Sequence, residues 1–316
     1  MDVSMAPSAI EFDFETGKFQ NYNFRERIGL ELMRLAAKLT GKNKFVGFSY
    51  AAKGIRMLFR SKRLVETRMG DDVVFAFPYG DAYWGRLFDN SQFYEPDVRE
   101  FLLSVSDVDY AFIDCGANFG YHSCFTNSND GGSKPTIAIE ADRQNFEVLN
   151  YNRRLNGQRI EIRHNAIHSK SGETVTLFGE KHEAFSIVED GGVPRGEVNT
   201  LAIGSLSTWL SSMNKSKVII KLDVEGVETE AVDGIGDLGG ADVLIIYEDH
   251  GSDHEHTPTR HLMNLDGYKI FVFRNGTVEE VTELAELDEI KKHKRYGYDF
   301  IATKSEFWLD RINNNA

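Results

Sequence analysis

From residue 110 onward, short apolar runs alternate with segments of helical length: Tyr110 to Ile113, Thr136 to Ile139, Ile160 to Ile162, Val218 to Leu222 and Val243 to Tyr247. Strands spaced in this way predict a parallel sheet covered by helices on both faces. Near the end, Tyr268 to Phe273 and Asp299 to Thr303 are two further strand candidates, separated by a charged, loop- or helix-like Val278 to Lys294. Such a closing pair suggests an antiparallel edge. The expected fold class is therefore α/β, a doubly wound sheet with an antiparallel C-terminal edge.

The chain before residue 106 reads differently. Residues 1–23 show little periodicity and are expected to be loosely ordered. Phe24 to Leu39 predicts an amphipathic helix with Ile28, Leu32, Leu35 and Leu39 as its apolar side and Arg27, Glu31, Arg34 and Lys38 opposite. Ala51 to Arg60 predicts a second helix. Arg63 to Met69 and Val73 to Phe77, joined by Gly70-Asp71-Asp72, predict a hairpin. The expected organisation is an N-terminal accessory region over residues 1–105 and a cofactor-binding domain over residues 106–316.

Charge separates the two further. Residues 24–68 hold twelve Lys or Arg against Glu26, Glu31 and Glu66, a balance of +9 in a chain whose total is −13, so the remainder stands at −22. The overall sign argues against a nucleic-acid partner. For the basic helices within 24–62 three readings stay open: a solvated pair, a dock for anionic lipid heads, or a contact between copies of the chain. No window approaches 18 uninterrupted apolar residues and no signal core opens the chain, so the expected location is cytoplasmic, or peripheral on the inner face of a membrane. Cys115 and Cys124 read as reduced thiols.

In a doubly wound sheet, ligands lie beyond the carboxyl ends of the strands. Those positions here are polar in every case: Asp114, Glu140, Asn165, then Asp223 with Glu225, then Glu248 with His250. Gly116 and Gly120 allow close approach of a ligand and a tight turn into a helix. Glu140 follows one βαβ unit later, where an acid can bond ribose hydroxyls. The loop Asp114-Cys-Gly-Ala-Asn-Phe-Gly120 carries an acid and replaces a middle glycine with Asn118. A carboxylate there repels a pyrophosphate and suits the ammonium and sulfonium of S-adenosylmethionine. A nicotinamide enzyme is disfavoured on the same ground, and the chain has no Tyr with Lys four residues later and no P-loop.

The segments F-I-D-C-G-A-N-F-G-Y-H-S (112–123), A-I-E-A-D (138–142), H-N-A-I (164–167) and I-I-K-L-D-V-E-G-V-E (219–228) resemble the FkbM family of class I S-adenosylmethionine-dependent methyltransferases, as do Y-W-G-R-L-F and F-Y-E-P-D-V-R-E-F-L (83–102). The resemblance covers about residues 64–304. It implies a Rossmann-like class I methyltransferase sheet and methyl transfer to a hydroxyl of a sugar, polysaccharide or secondary metabolite. It further implies that Asp114, Gly116, Asn118 and Gly120 hold the methionine end of the cofactor, Glu140 the ribose, and Asn165 the neighbourhood of adenine. Asp142 can reach the same sugar or the adenine edge, and Asp223 belongs to the site in some role.

Transfer to a hydroxyl needs a group that takes its proton. His250 is the first candidate, Asp223 the second, with Glu225 or Glu248 orienting either. Asp249, His250, Asp253, His254 and His256 invite a metal reading, but on one loop a solvated acidic run is favoured and no metal is expected. Six aromatics between Tyr79 and Tyr94 read mainly as packing, with Tyr83 and the adjoining Glu95 as the exceptions. The competing class is a non-catalytic binding or scaffold protein that keeps the methyltransferase fold.

Overall fold

The computed structural model describes residues 8–181, 184–187, 193–274, 277–294 and 296–315. In its N-terminal part, β1 (Ile10–Asp13) and β2 (Lys18–Gln20) precede α1 (Phe24–Gly41) and α2 (Phe48–Leu58), and β3 (Leu64–Met69) and β4 (Val73–Pro78) form the expected hairpin. The four strands make one sheet in the order β2-β1-β3-β4. Two expectations are corrected here. The segment before residue 24 is ordered over the described residues, because Phe12 and Phe19 stack at 4.6 Å between their centroids inside the core. A four-residue strand is too short to show a period, so the sequence hid it.

The second correction concerns α1, whose start is closed by a capping box between Asn23 and Glu26. Its buried side is Glu26, Leu30, Met33, Ala37 and Gly41, whereas Leu32, Leu35 and Leu39 are exposed. The helix carries two apolar stripes. The one with smaller residues faces inward, since Gly29 lies against Tyr79 and Phe59 and Gly41 against Asp89, with no room for larger side chains.

The main sheet follows a 3-10 turn (Trp84–Phe88) and α3 (Pro96–Ser104). It begins with β5 (Ala111–Cys115), α4 (Tyr121–Thr126), β6 (Thr136–Glu140), α5 (Arg143–Leu155) and β7 (Ile160–His164). A smaller sheet in the order β10-β9-β11-β8 then intervenes, from β8 (Ala166–Ile167), β9 (Thr174–Lys181), β10 (Ala184–Ser186) and β11 (Pro194–Leu201), with no counterpart among the sequence expectations. The chain returns through α6 (Ser207–Ser212) to β12 (Lys217–Leu222), α7 (Glu228–Asp233), β13 (Asp242–Glu248) and α8 (Thr257–Asn264). It ends with β14 (Lys269–Arg274), β15 (Thr277–Val281), α9 (Ala285–Ile290), β16 (Asp299–Thr303) and α10 (Glu306–Asn315). The expected loop- or helix-like stretch after Val278 thus begins as an edge strand.

The sheet order is β15-β14-β16-β13-β12-β5-β6-β7. β7, β6, β5, β12 and β13 run parallel, and β16 is antiparallel between β13 and β14. Helices cover both faces: Ile113, Ile220 and Ile245 pack on one side, and Phe112, Ile219 and Leu244, with α3 and Trp308, on the other. The strand order reverses between β5 and β12, which opens a crevice at their carboxyl ends.

The N-terminal sheet is joined to this frame by a shared core and by two asparagines. Ala117, Phe119, Cys124, Val148 and Leu149 belong to the same apolar cluster as Phe12, Leu30 and Phe75. On α5, Asn152 Oδ1 accepts from the N–H of Ala76 (2.7 Å) and its Nδ2 donates to that residue's carbonyl (2.9 Å), while Asn156 repeats the pattern on Val74 (3.1 and 2.8 Å). Amide side chains thereby occupy the free edge of β4, which would otherwise present unpaired backbone groups.

Candidate active site

The loop after β5 is shaped by what surrounds it. Gly116 has φ +77°, and a Cβ there would stand 1.8 Å from the carbonyl oxygen of Asp223, so the loop lies directly on the end of β12. Gly120, at φ +84°, faces Leu149 in the same manner. Asn118 takes the left-handed conformation at φ +51°. Its side-chain oxygen accepts from Trp84 Nε1 (3.0 Å) and from the N–H of Phe119 (2.9 Å). Trp84 therefore sets the loop from the N-terminal region, a role that its reading as packing alone had missed.

Glu140 ends β6 with both oxygens engaged: one accepts from the N–H of Asn118 (2.8 Å), the other from the N–H of Asp142 (2.7 Å). Burial pushes its carboxyl up to about 8, against the lowering effect of those two amides. Asp114 lies behind the loop at 2% exposure, accepting from Ser123 Oγ at 2.5 Å, and burial raises it as well. Asp142 is the N-cap of α5, accepting from the N–H groups of Gln144 (2.8 Å) and Asn145 (3.0 Å). Asn165 sits beside β6 through its N–H to the carbonyl of Glu140 (3.2 Å) and turns its side-chain amide to the carbonyl of Asn199. The next-door His164 has a buried Nε2 with no partner and a ring 5.1 Å from that of Phe146.

Across the crevice the strand ends gather carboxylates around one cation. Lys221, 2% exposed, donates to Asp223 (3.0 Å) and lies 3.4 Å from Glu95, which also pairs with His122 Nε2 at 2.8 Å. Burial works against the charge of Glu95, but Lys221 and His122 outweigh it and hold the carboxyl well below its usual range. Glu248 and Asp299 shift the other way. Burial is the main cause; Asp223 and Asp299 add to it at Glu248, and Glu95 adds to it at Asp299. Gly297 closes on the Glu248 carboxyl so tightly that no Cβ would fit. Glu225 follows on the turn after β12, its carbonyl accepting from Ser186 Oγ (2.6 Å), and burial lifts nearby Glu228 to about 7.

A cavity of about 390 Å³ opens beside this group, lined by Lys44, Asp97, Phe273, Arg274, Tyr298 and Asp299 among others. Tyr83 and Tyr94 meet through their hydroxyls at 2.6 Å, with the Arg86 guanidinium stacked 3.7 Å over Tyr83.

His250 follows Glu248 by two residues on the segment after β13. It is exposed, its Nδ1 is engaged by Ser252, and the charges acting on it come from Lys291, Asp249 and Asp253. The run after β13 is not a solvated loop throughout: Asp249, the carbonyl of Asp253 and His256 Nδ1 converge on the buried ammonium of Lys291. That cation stands where a metal would have been sought. Lys221, Asp299 and His122 were not singled out from the sequence. The available signal was Lys221 itself, a cation inside the apolar run Val218 to Leu222.

A parallel sheet whose sixth strand in space is antiparallel, with a glycine loop after its central strand and an acid ending the next, defines a Rossmann-like methyltransferase of class I type. The Methyltransferase FkbM domain model matches residues 114–270, from the loop after β5 to the start of β14.

Among solved structures, the precorrin-6y C5,15-methyltransferase of Geobacter metallireducens GS-15 is 14% identical, with 68% of this chain and 91% of that one covered at a TM-score of 0.37. A methyltransferase FkbM from Methylobacillus flagellatus KT is 14% identical over 64% of this chain and 47% of that one, with a TM-score of 0.38. An O-methyltransferase from Bacillus cereus in complex with SAH is 10% identical over 67% and 83%, with a TM-score of 0.38. Likenesses this distant carry no information on substrate. The comparison with curated proteins gave no match.

Proposed function

We propose that the protein is an S-adenosylmethionine-dependent O-methyltransferase acting on a hydroxyl of a sugar, polysaccharide or secondary metabolite. One observation carries this reading: the loop that rests on Asp223 and is tied to Glu140 shares the β5–β12 crevice with a carboxylate group built around Lys221. The residues suit such a cofactor. Gly116 lets the loop lie against the end of β12, Glu140 ends the strand where ribose hydroxyls would lie, and the loop from Asp114 to Gly120 contains no cation to attract a pyrophosphate. Asn165, which the family resemblance sets near adenine, follows the end of β7, and His164 beside it keeps a buried Nε2 without a partner.

The bound cofactor supplies an electrophilic methyl group on a positively charged sulfur. Among this chain's residues, positioning and removal of the acceptor's proton are the contributions to derive. Asp223 follows β12 where the loop rests on its backbone, and its ion pair with Lys221 orients its carboxylate; it takes the hydroxyl proton. Glu248 and Asp299 face each other across β13 and β16, and burial, with the neighbouring carboxylates, lifts both above the usual carboxylate range, which suits them to hold a proton beside Asp223.

Calorimetric titration with S-adenosylmethionine is expected to give binding heat that Glu140→Ala weakens by roughly tenfold or more. Asp223→Asn is expected to keep cofactor affinity and to lose methyl transfer by about 10²- to 10⁴-fold, read with radiolabelled cofactor on lipid-linked glycan and small-metabolite fractions. His250→Ala is expected to stay active. Absence of heat at hundreds of micromolar cofactor would sink the enzyme reading in favour of a scaffold, and heat with NAD instead would restore the nicotinamide one.

A further inference from the structure

The strongest departure from ordinary surface chemistry lies far from the carboxylates, on α1 and α2. Among the described residues twelve large apolar side chains are exposed, and nine of them fall between Tyr22 and Leu58. On α1 the residues Phe24 (76% exposed), Leu32, Leu35 and Leu39 (70%) recur at helical spacing with Ile28 between them. At 100° per residue this stripe lies on the side opposite Leu30, Met33 and Ala37. On α2, Phe48 and Ala52 are buried while Tyr50 (82%), Met57 and Leu58 (70% each) face out. The two helices pack on each other, so the two apolar stripes are carried by neighbouring helices.

Charge surrounds that surface. Arg25, Arg27, Lys38, Lys42, Lys53, Arg56, Arg60 and Lys62 are all exposed. Of the two acids between residues 24 and 62, Glu26 is removed from the surface by its buried pairing with Arg63 and Ser61, which leaves Glu31. The rest of the chain is strongly acidic.

We infer that the outward face of α1 and α2 docks on an anionic lipid bilayer, lying in the plane of the headgroups. Apolar side chains on an amphipathic helix enter the boundary of the acyl chains while flanking Lys and Arg meet anionic heads. No helix of the described residues is long and apolar enough to cross a membrane, which leaves the in-plane arrangement for this band. A two-fold contact between copies through the same face would set the basic helices against each other, a like-charge arrangement that a bilayer surface avoids. The helices are held at a defined place: the loop joining them puts Lys44 over the Tyr296 ring at 4.7 Å and Phe45 beneath Arg86. This inference does not depend on the proposed methyl transfer.

Flotation of the full chain with vesicles tests it. Binding is expected to vesicles of phosphatidylcholine with ~30% phosphatidylglycerol at ~0.1 M salt, and to fall about tenfold or more with phosphatidylcholine alone or at ~0.5 M salt. Leu35→Glu combined with Leu39→Glu, and separately Met57→Glu, should each reduce binding about tenfold while melting behaviour stays that of the parent. Lys53→Glu with Lys42→Glu should do the same through charge alone. Failure of the parent chain to float with the anionic vesicles overturns the inference, as does unchanged flotation of the leucine variant. A dimer in light scattering that the leucine variant splits, without vesicle binding by the parent, assigns the face to a second copy instead.

Discussion

The crevice at the strand ends and the outer face of the helix pair break opposite rules of protein surfaces. The first buries charge: Lys221 and Glu95 sit in the body of the molecule with Asp223, Glu248 and Asp299 around them. The second exposes apolar side chains that a core would accept, from Phe24 to Leu58. Each departure costs stability on its own, and the two are the features on which the proposed cofactor site and the proposed membrane face rest. They also differ in kind. The crevice is satisfied internally, so its charges depend on one another; the helix face has no internal partner, so its residues are independent of the fold.

That difference can be broken most forcefully at Lys221. Replacing it with Met leaves Asp223 without its cation and Glu95 with His122 alone, and a loss of about 3–5 kcal/mol is expected in denaturant unfolding at pH 7. In the parent, the pairing lowers Glu95, so its stabilisation is full above the unfolded carboxylate value of 4.5 and fades as pH falls through the lower folded value. The Lys221→Met defect should therefore shrink in acid, and a defect independent of pH would show that the ammonium acts by packing.

A smaller effect is expected within α1, where Leu30 is fully buried and Leu35 is 53% exposed. Leu30→Ala should cost about 2–4 kcal/mol. Next comes Glu140, raised from 4.5 to about 8. Because the folded value is the higher, ionisation opposes folding: the penalty is absent below pH 4.5, grows through the interval and is full above 8. Between pH 4 and pH 9 the melting temperature of the parent should accordingly fall by about 4 °C or more relative to that of Glu140→Gln, whose amide does not ionise, on top of a pH-independent loss because its NH2 cannot accept from one of the two N–H groups. Smallest of all, Leu35→Glu should change stability by no more than about 0.5 kcal/mol, and a cost like that of Leu30→Ala would mean that the outward stripe is packed after all.

Much of the crevice was legible from the chain alone. Parallel strands must deliver their last residues to one edge, so Asp114, Glu140, Asn165, Asp223 and Glu248 could be placed together before any coordinates. The glycines at 116 and 120 announced a tight loop, and the structure adds what each lies against. His250 was read into the same edge by its place after the fifth strand; its side chain is exposed with Nδ1 engaged by Ser252, while the neighbouring Asp249 carboxylate is held by Lys291 and Thr259. Glu95 was noticed beside an aromatic run; its contact with Lys221 spans 126 residues of sequence, a separation that no local pattern encodes.

The alternation of strands and helices, the order of polar strand ends and the sign of the charge on each region are properties of the sequence, because periodicity and composition are local. Which stripe of α1 turns inward is not. Both stripes have helical spacing, and the one with larger residues is the stronger signal in the sequence. Only the close approach of Tyr79, Phe59 and Asp89 to Gly29 and Gly41 selects the face with small residues, and that steric choice exists only once the N-terminal sheet and the helices have met.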